Sequence, residues 1–189
     1  MKYKRILVII LLITSLLVGF SYYEARAAGP ILKLDEEVRR FVKSTDEGWV
    51  DNTMSNITRT GSTSLLIPIV ASIPNYELRM DALTGFLASH TVTETLKRVT
   101  GKTRPRSEER KYEPFSGNMS FPSGHAAGTF AIATAIAEHY PEYRRYAYAW
   151  STLVAISRLY EDAHWFSDVV VGSAVGHYTT KWTMDLIEW

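Results

Sequence analysis

The sequence predicts an all-α protein, a single compact helical bundle. Apolar residues recur at helical spacing, and no stretch of useful length alternates as a half-buried strand would. Gly124–His139 is apolar nearly all round, the pattern of a helix at the centre of a bundle.

The elements follow in order. In Leu32–Ser44, Leu34, Val38 and Phe41 are spaced as an amphipathic helix, which packs on the domain or lies on a membrane surface. Asp46–Thr60 reads as a second helix ended near Gly61. Ser64–Ile73 is short and apolar, closed by Pro74. Tyr76–Val99 is a long helix stopped by Thr100-Gly101. Lys102–Ser120, rich in charge, Pro, Gly and Ser, reads as a loop long enough to suggest function. Beyond the central helix, Pro141 suits the first turn of a helix running to about Leu159. Asp162 is placed as the cap of a last helix reaching about Asp185.

The first residues read differently. Lys2, Lys4 and Arg5 precede the apolar run Ile6–Phe20, and Ala25-Arg26-Ala27 is a small-x-small cleavage pattern. This predicts a secretory signal over residues 1–27, with residues 28–189 exported to the periplasm or another extracytoplasmic space. An uncleaved leader would anchor the domain on the same side. None of the later apolar runs reaches the roughly 20 residues a membrane span needs, so the mature domain is expected to be soluble or peripheral.

The chain has 189 residues, a formal net charge of +1 and no cysteine. The charge balance gives no reason to expect nucleic acid as a partner. The missing cysteine excludes disulfides, a thiolate nucleophile, a thiolate metal site and a lipoprotein anchor.

Three short stretches carry the chemistry: Lys97–Pro105 (KRVTGKTRP), Phe121–His125 (FPSGH) and Ser157–Asp168 (SRLYEDAHWFSD). Ser123 stands where an N-cap of the central helix would be, leaving the Gly124 and His125 amides free for an anion. Gly124 lets an oxyanion approach the backbone closely. Arg104 and Arg158 can fork onto phosphate oxygens, and Lys97 adds a point charge. Arg98, Lys102 and Arg106 are read as surface charges. His164 and Asp168 are four apart on the proposed last helix, hence on one face. The carboxylate would fix the imidazole tautomer and leave the other nitrogen free to attack phosphorus. His125 would protonate the leaving alkoxide and then deprotonate water. No ligand spacing such as HExxH accompanies the histidines, so no metal and no cofactor is expected. Tyr112, Phe115, Phe121, Trp165 and Phe166 could flank an apolar leaving group, although packing is their commoner use.

Taken jointly, Lys97 to Arg104-Pro105, Pro122-Ser123-Gly124-His125, and Ser157-Arg158 with His164 and Asp168 resemble the signature of the type 2 phosphatidic acid phosphatase (PAP2) superfamily. That superfamily includes bacterial acid phosphatases and vanadium haloperoxidases. The likeness covers about Asp81 to Gly176, including HWFSDVVVGSAVG. It implies His164 as nucleophile, Asp168 as its orienting partner and His125 as acid-base group. Lys97, Arg104, Ser123, Gly124 and Arg158 would hold the phosphoryl oxygens. It implies an all-α bundle with no metal requirement, and here the soluble, exported branch.

The expected function is an exported, metal-independent phosphatase working through phosphohistidine. Its substrate would be a lipid phosphate, a lipid diphosphate or a small soluble phosphoester, with peripheral membrane contact as an option. A vanadium-dependent haloperoxidase and a non-catalytic phosphate- or lipid-binding domain are the alternatives. Paired histidine roles predict bell-shaped activity against pH.

Overall fold

The computed structural model describes residues 29–45, 48–107 and 110–187. The predicted signal over residues 1–27 and its cleavage site lie outside these residues. The chain divides into two units, one ending at Leu34 and the other beginning at Asp35.

Among the described residues there are seven α-helices and no strand. They are α1 (Pro30–Ser44), α2 (Gly48–Thr60), α3 (Thr63–Ala71), α4 (Tyr76–Thr100), α5 (Gly124–His139), α6 (Arg144–Tyr160) and α7 (Phe166–Leu186). A 3-10 turn at Pro141–Tyr143 leads into α6. The all-α expectation holds.

Helix α5 is the hub, packed against α4, α6 and α7. It can be central because it is built from small side chains. Ala126, Ala131, Ala133, Ala135 and Ala137 are fully buried. Close approach is tightest against α7. A Cβ on Gly172 would lie 2.5 Å from the Ser123 carbonyl oxygen, and one on Gly176 would lie 2.1 Å from that of Ala127. Only glycine lets these two backbones meet. A larger apolar cluster of Leu66, Val70, Leu78, Ala82, Phe86 and Ile132 joins α3, α4 and α5. A smaller one of Ala126, Ala155 and Val169 lies nearer the site.

Local signals set the helix ends. Asn75 caps α4 by accepting from the Leu78 amide at 2.9 Å. Gly101 ends it in the left-handed conformation, φ 60°. The loop that follows is tied by antiparallel bridges between Lys102 and Tyr112 and between Thr103 and Met119. Ser123 caps α5 as expected, its side chain accepting from Ala126.

Two expectations need correction. Asp162 does not cap α7. It has φ 52°, and its carboxylate is taken by Arg39 at 2.8 and 2.7 Å. The chain therefore turns after α6, and α7 begins only at Phe166, so His164 precedes the helix rather than riding on it. The face of α1 also differs. Leu34 and Phe41 are exposed, while Asp35 and Val42 are buried. Arg39 and Asp35 find charged partners, and these, not the apolar spacing, decide which side of the helix is covered.

Candidate active site

Antiparallel packing brings four helix ends together: the C-termini of α4 and α6 and the N-termini of α5 and α7. Lys97 lies in the last turn of α4, Arg158 in the last turn of α6, Ser123 and Gly124 open α5, and Asp168 is in the first turn of α7. The Ser123 amide donates to the Asp168 carbonyl oxygen at 2.9 Å, joining the starts of α5 and α7. A Cβ on Gly124 would sit 3.4 Å from the Lys97 ammonium, so that cation lies over the first turn of α5. The amides of Gly124 and His125 have no acceptor within the helix and point out of its positive end.

The two guanidiniums come from different elements, Arg104 from the loop after α4 and Arg158 from the last turn of α6. Arg104, half-buried, donates to the Ala163 carbonyl oxygen at 3.4 Å. Arg158 is buried at 7 % exposure. Its Nη1 is held by Glu161 and, at 3.5 Å, by Thr58 Oγ1. Its Nε, also buried, has no acceptor among the described residues. Lys97 is held 2.8 Å from Glu94. Arg98 and Arg106 are exposed, as expected.

Both histidines lie in this field of positive charge. Burial, then Arg158, His164, Lys97 and Arg104, push the His125 imidazole down from 6.5 to about 3. Burial pushes His164 down to about 4, against the opposing pull of Asp168. Each is neutral near pH 7. His164 Nδ1 lies 2.8 Å from the Ser120 carbonyl oxygen, with Asp168 Oδ2 at 3.7 Å. A carbonyl can only accept, so Nδ1 carries the proton and Nε2 keeps its lone pair. The expected tautomer follows, but its closest acceptor is a backbone oxygen in the long loop, and the carboxylate stands just behind. Asp168 Oδ2 instead accepts from the Trp165 amide at 2.9 Å, capping α7.

Thus the structure gathers all eight sequence-predicted residues at one end of the bundle. The remaining histidines are engaged elsewhere. His139 pairs with Asp81 at 2.7 Å, His177 Nδ1 bonds Tyr148 and Thr134, and His90 stacks on Phe86. Of the candidate flanking aromatics, Phe121 and Trp165 are core residues, whereas Phe115 is 78 % exposed.

Lys102 is the residue that sequence reasoning misplaced. It is not a surface charge but is 1 % exposed. Its ammonium lies 3.0 Å from Asp168 Oδ1 and 3.2 Å from Asp35 Oδ2. Asp35 also binds the Ser167 amide and hydroxyl, at 2.8 and 2.9 Å. Arg110 stacks 3.6 Å over the Trp165 ring. No spacing rule connects Asp35 with Lys102, 67 positions apart. The one available signal was an acidic residue beside the apolar positions of α1.

An all-α bundle with paired histidines and converging cations at one end is a scaffold for handling phosphoryl groups. The chain belongs to the PAP2 superfamily, whose model matches residues 79–189, and it is a phosphoric ester hydrolase. Phosphatidylglycerophosphatase B of Bacillus subtilis is 27% identical over 160 residues, 75% of this chain and 77% of its own length. A lipid A 1-phosphatase of Rhizobium etli is 34% identical over 100 residues, 49% of this chain and 43% of its own length. Among solved structures, a transmembrane PAP2-type phosphatidylglycerolphosphate phosphatase from Bacillus subtilis superposes with a TM-score of 0.69 at 22% identity. It covers 91% of this chain and 96% of that one, and shows a shared fold. Among the described residues of the present chain, no helix is long and apolar enough to cross a membrane. Among the same described residues, no three of His, Asp and Glu gather as metal ligands would.

Proposed function

We propose that this protein hydrolyses the phosphate of a lipid phosphomonoester or diphosphate, without a metal, through a phosphohistidine on His164. The observation that carries the reading is the meeting of His164 and His125 with Lys97, Arg104 and Arg158 at the N-terminus of α5. The names of its relatives favour a lipid substrate over a small soluble phosphoester.

The chemistry runs in two steps. Phosphoryl oxygens are held by the Arg104 and Arg158 guanidiniums, the Lys97 ammonium and the Gly124 and His125 amides, with Ser123 shaping the turn. His164 Nε2 attacks phosphorus as the bond to the leaving oxygen breaks, and protonated His125 gives that oxygen its proton. Phosphorylation makes the His164 ring cationic, with its Nδ1 proton on Ser120 and the Asp168 carboxylate close by. Neutral His125 then takes a proton from water. The hydroxide equivalent attacks phosphorus, the P–N bond breaks, and phosphate leaves with His164 restored.

Because His125 is neutral in the free protein, its proton must arrive with the phosphate. A phosphate monoanion can bring one, since its second ionisation lies near about pH 6. The bound anion also offsets the cations that hold His125 down. Export and attachment at a membrane surface belong to the same proposal, as an enzyme with a lipid substrate must meet a bilayer.

The test is hydrolysis of phosphatidate and a polyprenyl diphosphate in detergent, beside a water-soluble aryl phosphate, all in EDTA. Turnover blocked by vanadate, and an acid-labile phosphoenzyme that His164→Ala abolishes, are expected. Full activity in His164→Ala, or dependence on added metal, would overturn the mechanism.

A further inference from the structure

The mechanism uses one face of Asp168, and the opposite face is occupied by a buried ion cluster that the mechanism does not require. Lys102 fills it. Its Nζ meets Asp168 Oδ1 at 3.0 Å, Asp35 Oδ2 at 3.2 Å and Ser167 Oγ at 2.8 Å. The aromatic faces of Phe121 and Trp165 enclose the ammonium at 5.6 and 5.9 Å. Both carboxylates and the ammonium are 0–1 % exposed. A cluster this dry is costly to assemble and is weak evidence for stability in itself. It asks for another reason.

We propose that Lys102 and Asp35 are positioning residues of the active site. The buried ammonium, shared between two carboxylates, sets how much of the Asp168 charge reaches His164. The inference rests on His164 as the attacking group only for its effect on turnover, because the electrostatics can be read without turnover.

The geometry sets the signs. Lys102 touches the Asp168 oxygen that faces away from His164, so it draws carboxylate charge off the imidazole. Removing that ammonium leaves the full Asp168 charge to the imidazole, which favours a protonated His164 and moves both its titration and the acid limb of activity to higher pH. Asp35 has the opposite sign. It competes for Lys102, and neutralising it leaves the ammonium to act undivided on Asp168, which moves the limb to lower pH.

The other charges facing the cluster are Arg110, 3.7 Å from Asp35 Oδ2, and Arg104, Arg158 and His125 around His164. Lys102→Met leaves all of them in place, and Asp35→Asn takes an anion from Arg110, which adds positive charge beside the cluster and acts on His164 in the same downward direction. Burial raises the Asp168 carboxyl, and Lys102 is the largest influence holding it below its usual range.

The experiment compares Lys102→Met, Lys102→Arg and Asp35→Asn by kcat and KM against pH on an aryl phosphate. It also follows the His164 ring titration by NMR. Lys102→Met is expected to lower kcat by about tenfold or more with a smaller change in KM, as loss of an outer partner typically does. It raises the acid limb and the His164 titration, and Lys102→Arg restores most of both. Asp35→Asn shifts both downward. A merely structural role predicts losses without opposed shifts. The inference is overturned if the two variants shift alike or not at all, and if Lys102→Met fails to fold, an unmoved or raised His164 titration in Asp35→Asn overturns it alone. If His164→Ala remains active while the opposed NMR shifts appear, the catalytic reading fails and the positioning survives.

Discussion

Replacing His164 by Asn should flatten the acid side of the protein's stability curve. The imidazole is 4 % exposed, and burial brings it down from 6.5 to about 4. Between those values the unfolded chain binds a proton that the native protein excludes, so stability rises with pH across this window and falls as pH is lowered through it. At about 1.36 kcal/mol per pH unit the full penalty is about 3 kcal/mol, and most of it is already present at pH 4.5. Asp168 does not confuse the comparison, because its carboxyl is held below its usual 3.8 and stays ionised above pH 4.5. Asn can still donate to the Ser120 carbonyl, so the loop keeps a partner. Urea unfolding at pH 7 and pH 4.5 reads the effect as a change in midpoint. Wild type should lose about 2–3 kcal/mol more than His164→Asn over that interval. His125 remains in both proteins, and losing His164 lets it rise, which only enlarges the difference. Parallel losses would refute the argument that His164 is buried and neutral.

Four other outcomes follow. Gly172→Ala and Gly176→Ala push a methyl group into the Ser123 and Ala127 carbonyls and should each cost about 1–3 kcal/mol, while Gly117→Ala, with nothing within 4 Å, is the neutral control in thermal melts. Arg158→Lys loses the forked contact and should cut kcat/KM by about 100-fold, measured on the aryl phosphate. The basic limb of kcat should lie above pH 6, well above the free His125 value of about 3, because bound phosphate restores its proton; a limb near 3 would remove His125 as the acid. Dialysis against EDTA should leave turnover unchanged, and reactivation by a divalent metal would contradict the cation set described above.

How much of this was legible depended on the range of the determining contacts. Helix α5 could be read almost to the residue, because Ser123 caps it and its run of alanines admits no other burial. Lys97, Arg104, Arg158 and both histidines could be read because three motifs agreed on one chemistry. Lys102 could not. A lysine after Gly101 in a charged loop looks like any solvated lysine, and only folding brings it to Asp35. Asp162 misled for a related reason. An aspartate before an apolar run usually caps it, yet here Arg39 takes both carboxylate oxygens and the chain enters the left-handed region instead. His164 was paired with Asp168 through an assumed helix; the pairing exists, but loop geometry makes it, with the nearer hydrogen bond going to Ser120.

The placement of the site follows from helix direction. In an antiparallel bundle, neighbouring helices present opposite dipole ends at each end of the stack. Lys97 and Arg158 occupy the last turns of α4 and α6, where a negative helix end stabilises a cation. The amides of Gly124 and His125 open α5, where a positive helix end attracts an anion. The bundle can therefore collect cations and amide donors at the same end. What it cannot remove is repulsion among those cations. Arg106 and Arg158 act against the charge of Arg104, and the buried Arg158 Nε has no partner among the described residues. On the function proposed above, a bound phosphate would relieve both costs at once, and the free protein stands in a state that an oxyanion would complete. This is preorganised electrostatics: the donors are already in place, and the protein need not reorient them as charge develops.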